Sequence, residues 1–426
     1  MEDAEKESVE KKEVAPLSSK IGKVAYLGCS FCILFVAYQL TQGFLTTLFP
    51  PNISLISLSI IYISLGLMSL VTPQIQTRIG LRWSFLIGGF TYPLFIFSLV
   101  LNQSWFVFMT SFTLGAGASL LWLAQGVSDT LQAVISPIHQ VYISLLADGS
   151  NVGKFNGIFF SIHNVNMIIG MFTLSVVDYF HVPFDLNNLP MIMTFVGLLS
   201  LILFFFVRDV EGEKGKKEIA PFVEGLKELW KISTDTKMLC IYAAIILQGS
   251  HLTFTFGPFP TMVDKNQVAN LFLVCGVARM SASYVAGKMY DRLGWHYTVA
   301  AETLVLLLSY GSSVYGYRTS SFWAMLVASF GFGAGDSFLM LIISASIMSI
   351  WKQEAKNPFA MFRLFSSLAS GIGMIAVRLF SWEVVLVFNL IMTLCAAGSY
   401  CLLFCRVIKK DAMYAQLEMQ EPIERE

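Results

Sequence analysis

The chain is 426 residues long, 55% hydrophobic and only 13% charged, with a mean hydropathy of +0.66. A soluble protein carries about twice that share of charged residues, so the composition excludes a soluble domain and points to a polytopic membrane protein. Lys plus Arg and Asp plus Glu both number 28. That balance implies no nucleic acid or acidic partner.

The first 22 residues are polar and of mixed charge, and apolar sequence starts near Val24. No cleavable signal peptide is expected, and residues 1–23 are read as a disordered cytosolic tail. Apolar stretches long enough to cross a bilayer then follow at about 24–48, 53–76, 84–101, 106–127, 154–178 and 189–207. A second set follows at about 238–260, 267–288, 297–316, 321–349, 358–379 and 383–405. Twelve helices in two six-helix bundles, 24–207 and 238–405, are therefore predicted, with a cytosolic tail over 406–426.

Charge asymmetry supports the count. With alternate loops assigned to the cytosol, starting from the N-terminal tail, that side collects 24 Lys and Arg residues, against three on the other. Both termini are then expected in the cytosol. The linker 208–237 carries GEKGKKE and then APFVEGLKELWKI, with Phe222, Leu226, Leu229 and Trp230 on one helical face. It reads as an amphipathic helix on the inner membrane surface.

The halves repeat each other. Residues 111–120 read SFTLGAGASL and residues 329–338 read SFGFGAGDSF, identical at six of ten positions. Gly115, Gly117, Gly333 and Gly335 would let helices approach closely. The second copy has Asp336 where the first has Ala118. A lone intramembrane carboxylate must face a cavity or a partner, and Asp336 could bind a coupling proton or pair with Arg279, also intramembrane. Glu302 is a third intramembrane charge, either a partner or a residue of the inner interface.

Polar side chains gather on the first, fourth, seventh and tenth spans. Tyr38, Gln39 and Gln42 lie on the first, Trp122 and Gln125 on the fourth, Gln248 and His251 on the seventh, and Asp336 on the tenth. Together they could form a weakly charged midplane cavity, or they could bond neighbouring helices. His163, Asn164 and Asn166 of the fifth span read as structural bonds. Residues 287–294, GKMYDRLG, form a G-x-x-x-D-R-x-G loop. In it Asp291 could pair with a charge or helix end, Gly287 would permit close packing, and Arg292 and Gly294 complete the pattern. The first-half counterpart, QTRIGLRW, keeps Arg78 and Gly80 but has Thr77 where Asp is expected. This loop, the parallel repeat and the twelve spans resemble the major-facilitator architecture, and by that resemblance the first, fourth, seventh and tenth helices would line the cavity.

Residues 115–126, GAGASLLWLAQG, resemble the signature of the Unc-ninety-three-like (ion-channel regulatory protein) family. The stretches LFVAYQLTQGFLTTLF, SLSIIYISLGLMSLVTP and GKFNGIFF are similar to it as well. The resemblance covers residues 24–178 and is one of fold over the second half. It implies a major-facilitator fold and a role as an accessory protein for an ion channel or membrane receptor, whereas the repeat, the GKMYDRLG loop and Asp336 point to the alternative, a solute transporter working by alternating access. About 14 extra residues between the fourth and fifth spans, within 128–152, depart from that pattern. They read as a surface loop with a short helix or as a partner-binding element.

Three minor signals remain. Asn52 and Asn102 begin glycosylation sequons on the predicted outer side. Tyr414-Ala-Gln-Leu resembles a sorting signal, and a plasma or endolysosomal membrane is the expected location. The seven Cys read as small core hydrophobes, with Cys401 and Cys405 as possible palmitoylation sites. No nucleotide-binding glycine loop, helical H-E-x-x-H or grouping of the five His is present. Neither catalysis nor a metal or other cofactor is expected.

Overall fold

The structure, a computed structural model, describes residues 17–125, 158–159, 162–181, 184–207, 222–351 and 356–408. Among them every regular element is helical. The first bundle contains α1 (Leu17–Leu48), α2 (Pro51–Met68), α3 (Thr72–Ile79), α4 (Leu81–Leu101), α5 (Ser104–Gln125), α6 (Val165–Tyr179) and α7 (Leu189–Phe205). A connecting helix, α8 (Phe222–Ser233), precedes the second bundle. That bundle contains α9 (Thr236–Phe256), α10 (Val268–Leu293), α11 (Trp295–Thr319), α12 (Phe322–Trp351), α13 (Lys356–Leu379) and α14 (Trp382–Leu402).

Ten of the described helices are long and apolar enough to span a bilayer. Two expected spans fall short of that measure for identifiable reasons. α6 is a 15-residue apolar helix, and part of the chain before it is outside the described residues. α11 has 25 residues, but Glu302, Ser309, Ser313 and Arg318 dilute its apolar character.

Some boundaries differ from the sequence reading. α1 begins at Leu17, not near Val24. Ser18, Ser19 and Lys20 extend the helix with a polar first turn, which a helix end reaching past the hydrocarbon can carry. The single span expected over 53–76 is two helices. α2 stops at Met68, and α3 starts after a short turn with proline in its first turn. Proline is tolerated there and not in a helix interior, because its missing N–H is already an orphan in a first turn. The 128–152 insertion, residues 208–221 of the linker, Tyr414 and the tail after residue 408 lie outside the described residues.

Buried apolar residues form two clusters, one centred on α1–α7 and one on α9–α14. Two joints bind the bundles: α2 against α13, and α6 against α10. The second helix of each bundle thus meets the fifth of the other, as a two-fold pseudo-axis requires. Glycines set the distance at both joints. Gly66 of α2 faces the Leu364 carbonyl and Ser367 of α13, and Gly276 of α10 packs on Met167 and Ile168 of α6. Gly43 of α1 fits beneath Met171 of α6 and Phe272 of α10, so three helices meet at one small residue.

The repeated Gly-Ala-Gly segments have equivalent environments. A Cβ at Gly115 would collide with Ser64 and the Ile61 carbonyl of α2, and one at Gly117 with Thr91 of α4. A Cβ at Gly333 would collide with the Cys275 carbonyl of α10, and one at Gly335 with Leu306 of α11. The first glycine therefore seats the second helix of its own bundle and the second glycine seats the third.

The two short loops are also equivalent. Gly80 has φ 81° and ψ 169°, and Gly294 has φ 85° and ψ 176°. That backbone conformation is essentially restricted to glycine. Gly287 is different from its expected role. No described atom lies within 4 Å of where its Cβ would be, because α10 is exposed at this level, with Tyr284 and Val285 open on its surface. Close packing does not account for it.

The seven Cys are free, with Cys32, Cys240 and Cys275 buried and Cys29, Cys395, Cys401 and Cys405 exposed. The core reading thus holds for three of them. In α8, Leu229 packs on the second core while Trp230 stands exposed, because adjacent helical residues point about 100° apart.

Candidate functional site

The site is built where α10 meets α12. Both helices run the same way, and the absent side chain at Gly333 lets α12 touch the Cys275 carbonyl of α10. One turn further on, Ser337 Oγ donates to the Arg279 carbonyl at 2.8 Å. Between these two contacts Arg279 Nη2 reaches Asp336 Oδ2 at 2.8 Å. Arg279 keeps 22% of its side chain exposed and Asp336 10%. Of the two partners open to Arg279 in the sequence reading, the fold chooses Asp336. Glu302 lies elsewhere, buried within the second bundle.

The pair is not saturated. Arg279 Nε and Asp336 Oδ1 are buried and have no hydrogen-bond partner among the described residues. Buried ionic groups ordinarily have their remaining donors and acceptors filled. Here one of each is left over.

The first bundle supplies the facing polar groups. Gln42 Nε2 of α1 donates to the Tyr62 hydroxyl of α2 at 2.7 Å. The Tyr62 ring is within electrostatic reach of both Arg279 and Asp336. Gln39, three residues before Gln42 and so on the same helical face, has a buried and unpartnered Oε1. Asn166 of α6 donates to the His163 carbonyl, leaving its Oδ1 buried and without a partner. His163 is itself within electrostatic reach of Arg279.

Beside this lies an aromatic wall. Trp122 of α5 meets Phe35 edge-on at 5.2 Å between ring centroids and His163 at 5.4 Å. Tyr38 meets Tyr92 edge-on at 5.0 Å. These rings belong to α1, α4 and α5 and to the turn before α6, all in the first bundle.

Other expected cavity residues are engaged elsewhere. Gln248 accepts a hydrogen bond from Ser366 of α13. His251 is buried inside the second bundle. Its Nε2 lies 3.1 Å from the Phe332 carbonyl, which can only accept, so Nε2 carries hydrogen. Its Nδ1 lies 3.0 Å from the Tyr310 hydroxyl, which in turn lies 3.1 Å from Asn389 Oδ1. Ser250 also donates to that Asn389 oxygen, at 3.0 Å. These contacts join α9, α11, α12 and α14 in one network. The Gln125 and Asp291 side chains lie outside the described residues.

Away from the centre, Arg78 and Arg292 are exposed at equivalent loops. Arg82, just past Gly80, donates to the Phe205 carbonyl at 3.0 Å and lies over the Phe205 ring, a favourable place for a cation at a helix C-terminus. Asn52 sits in the first turn of α2, and Asn102 caps α4 in the left-handed conformation. Among the described residues, no three His, Cys, Asp or Glu side chains gather as a metal site would require.

Sequence reading missed Tyr62, Tyr310, Ser366 and Asn389. A usable signal existed for the tyrosines and the asparagine, since a polar group in an apolar span must find a partner. Which partner it finds depends on helix rotation, which hydropathy does not report.

Two six-helix bundles related by a pseudo-two-fold axis, joined second helix to fifth with a charged pair near the joints, define an integral multi-pass membrane protein of the major-facilitator type. A solved structure of the nucleoside transporter NupG has the same fold, with a TM-score of 0.65 at 12% identity, covering 91% of this chain and 98% of that one. The family model described as "Ion channel regulatory protein UNC-93" matches residues 51–311, so the chain belongs to the UNC-93 family. The match reaches past the linker into α11, beyond the first-half resemblance seen in the sequence. Relatives include UNC93-like protein 3 of Arabidopsis thaliana, 27% identical over 395 residues, covering 87% of this chain and 83% of that protein. UNC93-like protein MFSD11 of Xenopus tropicalis is 21% identical over 415 residues, covering 84% and 90%.

Proposed function

We propose that this protein moves a small polar solute across its membrane by alternating access, with the Arg279–Asp336 pair at the centre of the solute site. One observation carries the reading. The pair is buried where the bundles approach, yet keeps a free donor at Arg279 Nε and a free acceptor at Asp336 Oδ1. A solute bearing both acceptor and donor groups would satisfy them. Gln39, Gln42 and Tyr62 supply neutral polar contacts from the facing bundle, and Tyr38 and Trp122 a flat apolar wall.

Proton coupling follows from the same geometry. A proton on Asp336 abolishes the ion pair and leaves Arg279 unbalanced. Such a change alters the charge that the second bundle presents to the first, which would bias their relative position.

The test is thermal stability of the purified protein in detergent against a broad solute panel, with Asp336→Asn in parallel. A solute that binds the folded state raises its stability by mass action. A stabilising solute whose effect is lost in Asp336→Asn supports the site. If uptake of that solute and its pH dependence are unchanged in the variant, Asp336 has no coupling role.

A second reading is favoured by the family's description as ion channel regulators. In it the protein is a non-transporting subunit of a channel, or an escort of a membrane receptor. Stoichiometric recovery of such a partner in mild detergent, with no solute in the panel shifting stability, would displace the transport reading. In either role we place both termini in the cytosol, on the strength of the Lys and Arg distribution. A plasma or endolysosomal membrane is the proposed location.

A further inference from the structure

We propose that Glu302 of α11 is a proton-binding site, held as a neutral carboxylic acid between α11, α12 and α14 and separate from the Arg279–Asp336 pair. Glu302 is 2% exposed, Ser346 of α12 is 0% exposed and Tyr400 of α14 is 2% exposed. The Tyr400 hydroxyl lies against Ser346 and within electrostatic reach of Glu302. Glu302 Oε2 accepts only a long bond, 3.3 Å, from the adjacent Thr303. Glu302 Oε1 is buried without a partner among the described residues, whereas the two buried hydroxyls have each other as neighbours. An unpartnered carboxylate oxygen thus lies in the same packed region as two buried hydroxyls.

A carboxylate in such a place needs a cation or a proton. No described basic side chain supplies the charge. Arg279 of α10 is committed to Asp336. Lys288 of α10 lies over the Tyr284 ring at 4.3 Å, and Arg292 is exposed. On α11 itself, His296 is exposed and stacks on Trp295, Tyr310 joins the His251 network, and Arg318 is exposed at the far end. Tyr290 of α10 is within electrostatic reach of Tyr400. The charged residues with described side chains on α12 and α14 are Asp336, already paired, and Glu383, exposed at the other end.

The oxygen count decides between a metal cation and a proton. A hard cation such as Ca²⁺ takes about six or more oxygens. The cluster offers one carboxylate and the hydroxyls of Thr303, Ser346 and Tyr400, five oxygens in all, and the neighbouring helical carbonyls are already used in backbone bonds. A proton needs one oxygen. It binds the carboxylate to give the neutral acid, which removes the uncompensated charge from the packed interior. The inference does not depend on the transport reading and holds equally for an accessory protein.

Infrared spectroscopy of the purified full-length protein, with carboxyl-13C glutamate, tests it at neutral pH in sodium and in choline buffers. The expected result is a neutral carboxylic-acid carbonyl band that shifts with the label. It should be lost in Glu302→Gln, be kept in Asp336→Asn and be the same in both buffers. Should Glu302→Gln not fold, Glu302→Asp replaces it. That variant should keep a band but lose its shift with labelled glutamate. No label-sensitive acid band in the unaltered protein, or its survival in Glu302→Gln or Glu302→Asp, would overturn the proposal. A band that appears only when sodium is removed would overturn it in favour of a cation site.

Discussion

Arg279 and Asp336 meet at 2.8 Å one turn beyond the point where Gly333 lets α12 touch the backbone of α10. The contact between backbones and the contact between charges are one arrangement. Without the glycine, α12 would stand further off and the carboxylate would not reach the guanidinium.

Breaking the pair should therefore cost more than removing it. Arg279→Gln or Asp336→Asn each leaves an uncompensated charge. Each is expected to lower unfolding stability by about 2–3 kcal/mol, less than for a fully buried pair because Arg279 is 22% exposed. The double variant should lose less than either single one. Denaturant unfolding in detergent of the four forms measures this, and simple additivity of the two losses would show that the charges do not interact.

Gly333→Ala forces a methyl group onto the Cys275 carbonyl. Overpacking of this kind costs about 1–3 kcal/mol, and the loss should fall on the α10–α12 joint. Gly287→Ala is the opposite case, with open space at the Cβ position. It should be neutral or stabilise by up to about 1 kcal/mol through helix propensity. Thermal midpoints of the two variants should move in different directions or differ clearly in size.

Gly80 and Gly294 share one left-handed backbone conformation at equivalent loops. Alanine at either position should cost about 1–3 kcal/mol in backbone strain. The two losses are expected to be similar, although one loop keeps Asp291 and the other has Thr77. Unequal thermal shifts would mean that the loops are not mechanical equivalents.

The His251–Tyr310–Asn389 network is buried throughout. Tyr310→Phe removes one hydroxyl and leaves His251 Nδ1 without a partner, while Asn389 Oδ1 keeps its bond from Ser250, at about 1–3 kcal/mol. Asn389→Ala should cost a similar amount, and the double variant should fall short of the sum because the residues share bonds. A double-mutant cycle on unfolding stability reads this directly.

Much of the fold is local information. Hydropathy marks the spans because the bilayer demands apolar helices of a set length. Gly115, Gly117, Gly333 and Gly335 show the repeat because close helix contact needs small residues wherever it recurs. Gly80 and Gly294 stand out because only glycine adopts their backbone conformation. Asp336 is conspicuous because a lone acid in an apolar span is expensive.

Everything that depends on how the helices are rotated against one another was decided by the tertiary structure. Arg279 is 57 positions from Asp336 in the chain, and Glu302, the competing acid, lies between them. Only the packing of α10 on α12 brings the first acid to the arginine and sends the second into the interior. Packing likewise turns Tyr62 towards the charged pair and His251 towards Tyr310. A helix with an apolar or small residue at nearly every position carries almost no amphipathic signal, as in α12, so its sequence cannot state which face is inside. That choice comes from the fit of glycines against distant backbones, which involves residues far apart in the chain.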